Sequence, residues 1–174
     1  MHRIFLGLAV TNGTLLVASL AVGFAAANEP RGPSEPWHGV HLLLGLVAML
    51  ATLLVHSIAF TYFLGTTRWV KEVVQVYGMP EWVYAQALKN KRRAFPFELG
   101  SMVAIALTTW AGGAVHTRDW PVARELHLAA ATLTIGFNLG AYVAEYVAIV
   151  AQARLLLEVK ARADRQREGL AAGP

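Results

Sequence analysis

The sequence predicts an all-α integral membrane protein: a four-helix antiparallel bundle with an amphipathic cytoplasmic helical segment between its second and third spans. Three observations carry this. Of the 174 residues, 56% are hydrophobic and 15% charged, with a mean hydropathy of +0.45, whereas soluble domains carry roughly a quarter charged residues. Four apolar stretches, about 4–27, 37–65, 97–115 and 122–150, are each long enough to cross a ~30 Å hydrocarbon core at ~1.5 Å per residue. Positive charge is also unevenly spread. Of 15 Lys and Arg residues, all but Arg31, Arg118 and Arg124 fall at the N-terminus, after Leu64 or after Val150. This is the positive-inside pattern, which puts both termini in the cytoplasm of an inner-type membrane.

The first span follows Met1-His2-Arg3 and ends at Ala25-Ala26-Ala27. A basic start and small residues before Asn28 also fit a signal peptide, but a run of ~24 apolar residues exceeds a signal core, so we expect a retained helix. Residues 28–36, with three prolines, form an outer loop. The second span opens at Trp37-His38 and carries no Asp, Glu, Lys or Arg before Arg68. Its His41 and His56 lie about 60° apart around the helix.

Residues 66–96 read as a cytoplasmic interfacial segment of two short helices broken at Gly78-Met79-Pro80. Trp69, Val73 and Val76 share one face before the break, and Trp82, Ala85 and Leu88 one after it. With Lys89 to Arg93 nearby, headgroup packing is the expected role. Pro96 is expected to introduce the third span, and residues 151–174 to form a cytoplasmic helical tail. The whole chain, 1–174, reads as one membrane domain.

Composition excludes several chemistries. With zero cysteines there is no disulfide, thiolate metal site or cysteine nucleophile. The sequence contains no nucleophile elbow, Walker loop or dinucleotide fingerprint, and no basic stripe suited to nucleic acid.

What remains is a pattern of polar stripes. His127, Thr134, Asn138 and Glu145 fall on one line of the fourth helix; Glu98, Ile105, Thr109 and His116 share those offsets in the third, and Asn12, Ser19 and Gly23 line the first. Such residues face a bundle interior. Depth sorts them into two layers. His41 and His127 lie roughly 6–8 Å below the outer boundary. As matched histidines on different helices they are the expected axial ligands of a haem b. Arg118, Arg124 and His116 would form its propionate rim, and Gly45, Ala48, Ala130 and Ala131 would leave it room.

The inner layer, His56, Glu98, Asn138, Tyr142 and Glu145, is a candidate quinone or proton site. Its plainer reading is that Glu98 and Glu145 pair with Arg93, Arg68 or Arg154 and pin helix ends. Two alternatives stand beside the haem: an outer zinc or copper site of His38, His41, His116 and His127, joined by Asp119 and Glu125, and a cofactor-free accessory or assembly subunit whose polar stripes hold helices together. The expected partners are the bilayer and an electron donor or other membrane subunits. Nothing in the sequence indicates an enzyme complete in itself.

Overall fold

A computed structural model of the chain describes the backbone at residues 1–27, 36–117 and 122–171, and side chains at 1–27, 36–115 and 122–169. It contains four helices: α1 (His2–Ala27), α2 (Pro36–Val76), α3 (Trp82–Thr117) and α4 (Ala123–Ala171). All four are long and apolar enough to cross a membrane. α2 and α4 each pack against the other three, while α1 and α3 lie apart, each against α2 and α4.

The bundle is polar within and apolar without. Asn12, His56, Glu98, Asn138, Glu145 and Gln152 are at most 2% exposed, whereas Leu43 and Leu133 are 64% and 74% exposed. Water would reward the opposite arrangement; a lipid exterior rewards this one, because each buried polar group must find its partner on another helix. The first helix is part of this interior. Phe5 packs with Val55, Ala59, Phe63 and Tyr142, and Leu16 with Ala48 and Ile105.

Three helices continue past the apolar stretches. α2 has 41 residues, α3 36 and α4 49, against 26 in α1. Their far ends share a second apolar cluster of Val70, Val74, Met79, Val83, Ala87, Leu155, Val159 and Ala163. The interval expected to hold two separate interfacial helices is therefore made from the ends of α2 and α3. Between them, Gly78 adopts φ +58° and the Met79 amide donates to the Val74 carbonyl at 3.0 Å. This is the six-to-one bond of a Schellman turn, with glycine at the left-handed position.

Trp69, Val76 and Trp82 are exposed, and the packed face is the neighbouring one, Val70 and Val74 on α2 and Val83 and Ala87 on α3. The extension of α4 selects that face, because the smaller side chains admit close helix contact while tryptophan stays at the periphery. Trp82 instead lies under Arg162, 5.3 Å from its ring centre. One local expectation, the place of Pro96, is corrected here: it sits inside α3 rather than at its start. A proline removes one donor from the helical ladder, and a helix packed on two sides tolerates that loss.

Candidate functional site

The outer layer is a cavity of about 800 Å³ between all four helices, lined by His41, Gly45 and Ala48 of α2, Gly23 of α1, Gly112 of α3, and Arg124, His127 and Ala131 of α4. His41 and His127 face each other there with ring centres 6.1 Å apart and planes at 66°. The Nδ1 atom of His41 lies 3.1 Å from the Ser19 carbonyl oxygen. A carbonyl can only accept, so Nδ1 of His41 carries a proton.

Each imidazole is backed by a glycine. A Cβ on Gly23 would stand 2.8 Å from Cε1 of His41, and one on Gly112 would stand 2.9 Å from Cε1 of His127. Both glycines are therefore required by close approach of a helix to a ring. Gly112→Ala should tilt His127 or push α3 away. If a haem occupies the cavity, its content or the sharpness of its low-spin spectrum should fall in this variant. Gly136→Ala, where a Cβ meets nothing within 4 Å, should leave both unchanged.

His38 also lines the cavity, and Arg124 is exposed at its edge. Arg118, Asp119 and the side chain of His116, expected at the same rim, lie outside the described residues. The expected zinc or copper set includes His116 and Asp119, whose side chains lie outside the described residues; among the described residues no three His, Cys, Asp or Glu side chains gather closely enough to hold a metal ion.

The inner layer is closed. His56 Nδ1 lies 2.8 Å from Glu145 Oε1 and Nε2 lies 2.9 Å from Asn138 Oδ1. Its ring stacks on Tyr142 at 5.2 Å. Asn12 donates to the Tyr142 hydroxyl and, at 2.9 Å, to Thr52. From Asn138 the polar chain runs outward, since its Nδ2 donates to the Thr134 carbonyl at 2.8 Å and the Thr134 hydroxyl meets that of Thr108 at 2.7 Å. Thr108 and Thr134 line the outer cavity. On the side of the helix extension, Asn90 donates to Gln152 at 3.1 Å and Gln152 to Thr66 at 3.1 Å.

Two expectations about this layer change. Glu145 pairs with His56 rather than with an interfacial arginine, and Arg68 pairs with Glu72 at 2.9 Å. A quinone carbonyl at His56 would have to displace Glu145 or Asn138, because both ring nitrogens are engaged and the side chain is fully buried. Glu98 is buried with neither carboxyl oxygen hydrogen-bonded.

Sequence reasoning did not single out Gly112, Thr108 or the Ser19 carbonyl. The adjacent Gly112-Gly113 pair within an apolar helix was the one available signal for the first. A backbone carbonyl as the partner of His41 leaves no trace in sequence.

Together these features define a four-helix membrane protein with a histidine-bearing cavity in one half and a closed ionisable cluster in the other. No family model, curated protein or solved structure matches the chain.

Proposed function

We propose that the chain is a small b-type haem protein of a cytoplasmic-type membrane, with His41 and His127 as axial ligands in the outer cavity. The observation that carries this reading is the opposed pair of imidazoles, 6.1 Å between ring centres. Two imidazoles bound to one metal at about 2 Å each place their ring centres about 6 Å apart. The fit extends to the surroundings. The cavity of about 800 Å³ is mostly apolar, the Ser19 carbonyl fixes the tautomer of His41, and Arg124 supplies positive charge at the edge, suited to a propionate. A haem held by two histidines supplies reversible one-electron transfer. The chain would then serve as an electron-carrying subunit, with a donor and an acceptor among other membrane components.

The same reading sets the topology. Contacts between Asn12 and Thr52 and between Ser19 and His41 support antiparallel packing of α1 and α2. The positive residues of the α2 and α3 extensions, Arg68, Lys71 and Lys89 to Arg93, and of the α4 tail support a cytoplasmic position for the helix extension and both termini. A reporter inserted at Gly78, an exposed turn residue, should report from the cytoplasm, and one near Ser34 from outside. Asn90 is a poor insertion point, being 1% exposed. An external signal from Gly78 would invert the assignment of the cavity to the outer half.

The direct test is optical. Protein purified in mild detergent should show a Soret band and, after dithionite reduction, the sharp α and β bands of a six-coordinate low-spin b haem. A folded preparation expressed with sufficient haem but free of it would overturn the proposal. It would favour an accessory subunit, a reading supported by interhelical contacts such as Asn90 to Gln152 and Thr108 to Thr134.

A further inference from the structure

The haem reading leaves unused the most costly feature of the molecule, two fully buried carboxyl groups at the inner layer. Glu98 and Glu145 are each 0% exposed, and the neighbouring His56 is also 0% exposed. The hydrogen bonds around His56 fix its proton count. Asn138 donates through Nδ2 to a backbone carbonyl, so its Oδ1 must be the atom facing His56. An amide oxygen only accepts, and Nε2 of His56 therefore carries a proton. The Nδ1 atom faces Glu145 Oε1 at 2.8 Å, and a second proton lies between them. Whichever of the two holds it more closely, His56 and Glu145 together are neutral.

Glu98 has no such arrangement. Neither of its oxygens has a hydrogen-bond partner among the described residues, and the nearby Ser101 hydroxyl and Glu145 Oε2 are also unpartnered. The titratable groups that act on it are Glu145 from α4, which is bound to His56 of α2, and Lys91 on its own helix. His56 is committed to Glu145, and the Lys91 ammonium sits over the Phe95 ring, 4.7 Å from its centre. α1 brings Asn12, which is uncharged. An ionised carboxylate buried without a cation or hydrogen-bond donor carries a large desolvation cost, and taking up a proton removes that cost.

We propose that Glu98, beside the neutral His56–Glu145 pair, is a proton-binding site that holds one exchangeable proton at neutral pH. The step is simple: a proton from water adds to one carboxylate oxygen of Glu98, forming the O–H bond of the acid, and leaves by the reverse. The buried amides and hydroxyls of Asn90, Gln152 and Thr66 extend the polar interior from this layer into the helix extension. The site exists whether or not the outer cavity holds a haem.

Infrared spectroscopy in dodecyl maltoside, which has no carbonyl of its own, reads the carboxyl group directly. At neutral pH the protein should show a protonated-carboxyl C=O band that moves to lower frequency in deuterated water. The band should vanish in Glu98→Gln and persist in Glu145→Gln. Glu98→Asp, which keeps the acid in a shifted position, should move the band and keeps the assignment testable if Glu98→Gln fails to fold. Absence of the band at neutral pH, insensitivity to deuteration, or a Glu98→Gln spectrum that has lost no protonated-carboxyl band would overturn the proposal, whereas a band from Glu145 is recognised by its loss in Glu145→Gln. A colourless preparation that shows the band would remove the haem reading and leave this one standing.

Discussion

Replacing either His41 or His127 by alanine should abolish the low-spin haem spectrum of the proposed haem protein, and replacing both should leave no specifically bound haem. This is the expected result if the opposed imidazoles, 6.1 Å between ring centres, ligate one iron from its two faces. Loss of one axial nitrogen leaves a five-coordinate, high-spin centre, so the reduced α band should broaden and the Soret band shift rather than only weaken. In glycine variants at the same positions, added imidazole should restore the low-spin spectrum by filling the vacated volume. His56→Ala is the control, since His56 stands ~22 Å along α2 from His41 and has both nitrogens engaged elsewhere. A spectrum lost in His56→Ala and retained in His127→Ala would place the cofactor in the other half of the bundle.

The second large effect is on stability. Glu145→Leu or His56→Leu removes one member of a pair in which both side chains are fully buried and 2.8 Å apart. His56→Leu leaves the Glu145 carboxyl without its partner, and Glu145→Leu leaves Nδ1 of His56 unpaired while Nε2 keeps Asn138, so each single change should cost about 3–5 kcal/mol. The double variant, with two apolar side chains in the same volume, should recover part of that loss, because only Asn138 Oδ1, deprived of its His56 donor, then remains unpaired. Equilibrium unfolding in detergent micelles, run as a double-mutant cycle, measures the coupling. Costs for the two singles that simply add in the double would show that the pair does not act as a unit. Surface pairs offer the contrast. Arg68 and Glu72 are 82% and 56% exposed, and their removal should change stability by no more than about 1 kcal/mol.

The sequence determined the class of this protein and the lines along which its interior would form. Apolar runs of spanning length imply helices, because a lipid-exposed backbone must satisfy its hydrogen bonds within the segment. Helical periodicity then put Asn12, Asn138 and Glu145 on inward faces, and all three are buried. Periodicity was less informative where apolar and polar residues are mixed on every face. Past Leu64 the helices are mixed in composition, so Trp69 and Val70 are both plausible inward residues by spacing alone. The extension of α4, with Leu155 and Val159, settled the choice in favour of Val70.

Tertiary structure alone decided the partners. Glu145 had three arginines within reach by depth and one histidine on another helix; the rotation of α2 against α4 joined it to His56. That same bond, with Asn138 on the second nitrogen, engages both ring nitrogens of His56. Matched depth could bring His41 and His127 to one level, but their opposition depends on Gly23 and Gly112, where the absence of a Cβ lets α1 and α3 approach the rings. Spacing along a helix fixes angle and height. Which side chains meet depends on the rotation and separation of neighbouring helices, and those are set by the packing of small residues that hydropathy does not distinguish.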